Sequence, residues 1–193
     1  MDTLLFYFHL GNAHVLDPNG YDHVLFMFAL ALPYTFKSFT RLLLLASSFT
    51  LAHCLSLALA AFNVLTIDAG LIEFLIPVTI ALTAGYNLFY ASQKTASPYQ
   101  LQLGATVFFG LIHGFGFSNY FRMIMSGETS KALALTGFTL GIELAQIIVI
   151  TATLIITLLI GLLAKERKPL ILRILSALVL LLSLKIAIGN WPF

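Results

Sequence analysis

The sequence predicts an all-α fold, a polytopic membrane helix bundle, and three observations carry that reading. Of 193 residues, 60% are hydrophobic and only 9% are Asp, Glu, Lys or Arg, where a soluble domain carries roughly 25%. The mean hydropathy is +0.98. The apolar residues also fall into six stretches, most of them near the roughly 20 residues that cross a hydrocarbon core. Ten basic against eight acidic residues leave a net charge of +2 and no basic stripe, which excludes nucleic acid as a partner. The single cysteine, Cys54, can form neither an internal disulfide nor a Cys-rich metal cluster.

In chain order, residues 1–20 form an outer interfacial segment. Leu4, Leu5, Phe6, Tyr7 and Phe8 make it apolar, but Gly11, Pro18 and Gly20 break it. It is too short to span and either lies at the interface or re-enters the bundle. No charged stretch followed by a cleavage site precedes an apolar run, so no removable signal peptide is expected. The predicted spans are 21–36, 41–63, 69–92, 102–125, 132–162 and 170–190. The first is short, and the fifth is long enough to tilt or project beyond the bilayer. The links Lys37 to Arg41, Ser92 to Tyr99 and Ala164 to Pro169 are short and polar, so residues 1–193 read as a single transmembrane domain.

The basic residues set the orientation. Lys37, Arg41, Lys94, Lys165, Arg167, Lys168 and Arg173 fall at one set of helix ends. Arg122, Lys131 and Lys185 fall toward the other, together with Asp2, Asp17, Asp68 and Glu128. The positive-inside rule makes the first set cytoplasmic. Both termini are then expected outside, in a chain integral to a bacterial inner membrane.

Ionisable side chains are costly in hydrocarbon, so each one inside a span is a candidate for function. Here they are few and grouped. His14, Asp22 and His23 surround the mouth of the first span, and Thr50 and His53 lie in the second. Glu73 opens the third, and Asn87 lies near its end. His113 sits among Gly110, Gly114 and Gly116 in the fourth, and the fifth carries Glu143 and Gln146. Depth follows from the rise of about 1.5 Å per residue. His53, twelve residues past Arg41, and Glu143, twelve past Lys131, each come out about 18 Å from their nearer helix end. His113 falls near the middle as well. The expected picture is a polar file descending from the outer face to the midplane.

Imidazoles with carboxylates suit a divalent transition metal, zinc or nickel above all. His14, Asp22, His23, His53, His113 and Glu143 are the expected ligands. A ligating imidazole donates its other N–H to a partner, for which Glu73, Asn87, Gln146 and Thr50 are available. The three glycines around His113 let a neighbouring helix come close. Plainer roles stand beside these. Asp22 serves as a helix cap after the Asp17-Pro18-Asn19-Gly20 turn, His9 as an interfacial residue, and Asn87 and Gln146 as interhelical hydrogen-bond groups. Ser47 and Ser48 lie in no nucleophile motif.

Four stretches together match a known pattern: His14 followed by Asp22-His23-Val24-Leu25-Phe26; Phe49-Thr50-Leu51-Ala52-His53; Phe109 through His113 to Phe117; and Gly141-Ile142-Glu143-Leu144-Ala145-Gln146. On these residues the chain resembles the HupE/UreJ family of hydrogenase and urease accessory proteins, and most closely its second, HupE/UreJ-like branch. The resemblance implies a six-helix bundle and, for the founding branch, nickel or cobalt uptake. It carries the first-helix His and Asp-His signature onto His14, Asp22 and His23, and the later positions onto His53, His113 and Glu143. Glu73 and Asn87 match less specifically. The founding branch has a His-Pro pair before its Asp-His, whereas Val15 follows His14 here and the nearest proline is Pro18.

Three readings stay open at this level. In a transition-metal permease, His14, Asp22 and His23 capture the ion and His53, His113 and Glu143 hold it at the midplane. In a membrane-embedded zinc hydrolase acting on a lipid, lipid-linked or transmembrane peptide substrate, Glu143 or Asp22 is the catalytic base. In a metal-free accessory protein the same groups relay protons or fix packing. The partners expected are membrane lipids, the metal ion and, for a transporter this small, a second copy of the chain.

Overall fold

The computed structural model describes residues 3–90 and 98–192, so Asp2, Lys94 and most of the Ser92 to Tyr99 link lie outside the described residues. All regular structure among the described residues is helical. The helices are α1 (Thr3–Leu16), α2 (Asp22–Ala31), α3 (Phe39–Ala61), α4 (Ala69–Tyr90), α5 (Tyr99–Met125), α6 (Lys131–Leu163) and α7 (Lys168–Gly189). Five of them, α3 to α7, are long and apolar enough to cross a membrane.

Local chemistry sets the boundaries. Pro18 cannot continue α1, and Asp17 closes the following turn, accepting at its side chain from the Asn19 N–H (2.8 Å) and at its carbonyl from the Gly20 N–H (3.1 Å). Helix α2 stops at Ala31, two residues before Pro33, which has no N–H with which to continue the helical hydrogen bonding. Past α3, Asn63 takes a positive φ of 55°, and the Val64 N–H reaches back to the Leu59 carbonyl at 2.8 Å. This is the left-handed helix stop that asparagine tolerates. Asp68 accepts from the Leu71 N–H at 2.9 Å and caps α4.

Where a single first span over 21–36 was expected, the helix has only ten residues, about 15 Å or half a hydrocarbon core. The other half comes from α1. Leu4 packs at Gly137, and Phe8 and Asn12 pack at Gly141, so α1 runs parallel to α6. His23 against His53 and Phe26 against Phe49 make α2 antiparallel to α3. Helices α1, α2, α4 and α6 therefore run one way and α3, α5 and α7 the other. Two consecutive helices in the same direction make one interrupted pass, with the break at residues 17–21.

Three tight pairs, α1 with α6, α3 with α5 and α4 with α7, surround the short α2. Glycine makes two of these contacts. A Cβ at Gly11, Gly137 or Gly141 would collide with a backbone carbonyl of the facing helix in the α1–α6 pair. In the α3–α5 pair a Cβ at Gly110 would strike the Phe49 carbonyl, and one at Gly114 the His53 carbonyl and the Ser56 hydroxyl. Backbones this close leave room only for hydrogen, the small-residue packing that membrane helices use.

Toward the basic end the bundle is filled by Phe26, Met27, Leu30, Leu42, Leu45, Phe49, Ile80 and Leu154, all buried. At that end Tyr34 and Arg41 both donate to the Gln102 side-chain oxygen at 2.6 Å. The Tyr34 hydroxyl lies in the turn between α2 and α3, and its burial raises its pKa above 10.0. Toward the opposite end a second cluster packs Tyr7, Val15, Leu57, Phe121 and Phe138. The polar groups sit between these two apolar masses.

Candidate metal centre

Four helices each bring one histidine to the same place. His14 stands in the last turn of α1 and His23 in the first turn of α2, so the break in the first pass is what aims both rings at one point. His53 and His113 stand on α3 and α5, which touch at Gly110 and Gly114. Ring centroids are 4.6 Å apart for His14 and His23, 5.3 Å for His23 and His53, 5.8 Å for His14 and His53, and 5.4 Å for His23 and His113.

One nitrogen from each of His14, His23 and His53 lies within 4.8 Å of the other two. Two imidazole nitrogens on one tetrahedral zinc, at about 2.0–2.1 Å each, are about 3.3–3.4 Å apart. Closure of at most about 1.5 Å therefore brings the trio to ligation distance. His113 stands beside them.

Each of the four histidines keeps a buried ring nitrogen without a hydrogen-bond partner among the described residues. His23, His53 and His113 expose 1%, 0% and 1% of their surface. Nε2 of His14, His23 and His113, and both ring nitrogens of His53, find no hydrogen bond among the described residues. A buried polar atom left unsatisfied costs about 1–3 kcal/mol. Imidazole nitrogens held this way are donors of the kind a divalent transition metal takes.

Two of the rings are also oriented from behind. The His113 Nδ1–H donates to the Phe109 carbonyl at 2.8 Å, which leaves the Nε2 lone pair free. His23 Nδ1 meets the Asp22 carboxylate at 3.2 Å, and its Nε2 is likewise free. Carboxylate or carbonyl behind, imidazole in front, is the arrangement that fixes metal-ligating histidines. The N-cap position of α2 is Tyr21, with Asp22 the first residue inside the helix, and the Asp22 carboxylate meets the ring of His23.

The remaining expected site residues fall elsewhere. The Glu143 carboxylate accepts from the Ser47 hydroxyl, and Thr50 donates to the Gln146 oxygen at 2.9 Å. Thr139 contacts Cys54 Sγ at 3.0 Å in the same seam between α3 and α6. Glu143 belongs neither to the histidine group nor to the wall of the cavity in front of it. Asn87 donates to the Ala29 carbonyl at 2.7 Å and ties α4 to α2 on the basic side of the histidines. Glu73 is exposed and lines the mouth of that cavity. His9 is not among the grouped histidines.

The cavity, about 470 Å³, lies between the α1–α2 turn, α4, α5 and α7. His14, Asp22, His23 and His113 lie on its wall, together with Asp17, Glu73 and Asn190. The last turn of α7 and Asn190 were not anticipated; no motif near the C-terminal residues marked them, whereas Asp17 stood in a turn beside His14. Asn190 also donates to the Glu73 carbonyl at 3.0 Å, an oxygen left without its helical donor by Pro77. On the other side of the histidines, Phe26 and Phe49 stack at 4.8 Å and touch the His113 ring at 5.5 and 5.1 Å. The centre thus opens toward one end of the bundle and is closed by aromatics toward the basic end.

No curated protein and no solved structure gives a significant match to the chain. A sequence profile of the HupE / UreJ protein family matches residues 1–188, a stretch that contains all four converging histidines and Asp22. The chain belongs to the HupE / UreJ family.

Proposed function

We propose that this chain is a transition-metal permease of the membrane, and that His14, His23 and His53, with His113 beside them, receive a divalent ion from the outer side. The observation that carries the reading is the set of buried ring nitrogens without partners at the end of a one-sided cavity. Nitrogen-only donors suit nickel, cobalt or zinc. Asp17, Asp22 and Glu73 on the cavity wall draw in a cation, and no Lys or Arg among the described residues lines the cavity. The positive-inside rule makes the basic end cytoplasmic, so the open end faces outward. Release inward then requires movement at Phe26 and Phe49. The Pro77 kink site in α4 and the interrupted first pass are the places in the bundle least bound to stay straight.

Reconstituted vesicles test this. Uptake of nickel, cobalt or zinc into vesicles holding the wild type, abolished in His53→Ala, is the expected result. Tight binding with no uptake of any of the three refutes the permease.

One observation favours a second reading, a membrane-embedded zinc hydrolase. Six waters around an ion occupy about 180 Å³ at about 30 Å³ each, but the cavity is about 470 Å³, within the range of small-molecule sites. The three histidines would hold the ion, Asp22 would keep the His23 ring turned toward it, and the ion would supply Lewis acidity and an acidified water. On this reading purified protein retains about one zinc per chain through dialysis.

A further inference from the structure

The aromatic pair on the basic side of the histidines has space behind one of its two rings. A cavity of about 250 Å³ is walled by Phe26 and Leu30 of α2, Leu82 of α4, and Ala105, Thr106 and Phe109 of α5. Tyr34 and Gln102, which meet at the basic end of the bundle, line it too, so it lies on that side of Phe26. Phe26 therefore borders two places at once. Its ring centroid is 5.5 Å from that of His113 and 4.8 Å from that of Phe49, and the same residue forms part of the cavity wall. Phe49 is placed differently. It does not line the cavity, and its backbone is where α3 presses on Gly110 of α5.

We propose that Phe26 is the inner gate of the metal centre and that this cavity receives its ring when the gate opens. This inference rests on the permease reading and says how the same site releases its ion inward. The size fits. An apolar cavity of about 150 Å³ takes a benzene molecule, and this one is about 250 Å³. The chemistry of the wall also selects a ring. Leu30, Leu82, Ala105 and Phe109 make most of it apolar, and a cation resting there would lack ligands to replace its water. A phenylalanine in a helix has two open χ1 wells, so the ring can change place while the α2 backbone stays. It then exchanges one apolar surrounding for another, at little cost. While it stacks on Phe49, the two rings cap His113 on the basic side.

Uptake into reconstituted vesicles, read beside titration calorimetry of the same purified variants, tests this with whichever of nickel, cobalt and zinc the wild type carries. Ala105→Trp fills the cavity from α5 and touches none of the histidines' ring nitrogens. Metal binding should stay as in the wild type, while uptake falls about tenfold or more, the scale of forcing a side chain into filled space. Val107→Trp, at an exposed position of the same helix away from the cavity, should carry metal like the wild type. The deciding variant adds Phe26→Ala to Ala105→Trp. With no ring to house, uptake should return. If Ala105→Trp no longer binds metal, Leu82→Trp fills the same space from α4 and is read in its place. A cavity-filled variant that carries metal as fast as the wild type overturns the inference and leaves the permease standing. So does a double variant as slow as the single one. A wild type that binds the ion and carries none sinks the permease, and this gate with it.

Discussion

At the scale of single residues the account turns on which imidazoles are ligands and which groups hold them. Asp22→Asn keeps the shape but removes the charge behind His23, and metal affinity should fall 10–100-fold, as for other partners of ligating histidines. His23→Ala or His53→Ala should cost more, and His9→Ala should cost nothing measurable. Titration calorimetry on the purified variants reads all four. Glu143→Gln separates depth from direction. Counted along the chain, Glu143 lies as deep as His53, and depth was all the sequence offered. Its direction is set by the face of α6 that packs on α1 through Gly137 and Gly141. Glu143 is two residues past Gly141, about 200° around the helix, and its carboxylate meets Ser47. Metal affinity in Glu143→Gln should therefore stay within about twofold. The pH dependence has a definite sign. A ligand imidazole must be neutral, so protons compete with the ion, and any change in affinity as pH is lowered should be a loss. Affinity that rises toward low pH contradicts histidine ligation.

At the scale of elements, helix contacts without side chains position the site. Gly114→Ala drives a methyl into the His53 carbonyl and the Ser56 hydroxyl. Overpacking of this kind costs about 1–3 kcal/mol, and here it also pushes the two histidine-bearing helices apart. Both the thermal midpoint and metal affinity should drop. Gly85→Ala, where an added Cβ meets nothing within 4 Å, is the control. The close approach at α5 was legible, because Gly110, Gly114 and His113 share a helix at short spacing. The first pass was not. Its two halves are each shorter than a span, and α1 is held in the bundle by its fit to residues more than a hundred positions away, among them Phe121, Gly137 and Gly141. Hydropathy along the chain carries no record of that pairing, so residues 21–36 read as a short span when α1 and α2 make the pass together. Asp22 was ambiguous for a related reason, since a cap and a histidine partner use the same residue at the same position.

At the scale of the whole molecule, two apolar masses enclose a thin polar layer open to one end. The composition made the membrane class and the helical bundle plain, since 60% hydrophobic residues in six stretches admit little else. The cavity was beyond reach, because its walls come from α1, α2, α4, α5 and α7 and its shape exists only after they pack. An ion bound only by the folded chain stabilises it by about 2.7 kcal/mol at a hundred times its dissociation constant. Zinc, nickel or cobalt at that excess should raise the thermal midpoint of the wild type and leave that of His53→Ala unmoved. The midpoint of wild-type protein in detergent, with and without the ion, reads this directly.

If His14, His23 and His53 meet on one ion, X-ray absorption at the metal edge of the loaded protein shows it. The first shell should be nitrogen at about 2.0–2.1 Å with outer scattering from at least three imidazole rings, unchanged by Glu143→Gln and diminished by His53→Ala. A shell of carboxylate or water oxygens with fewer than two imidazoles would contradict it.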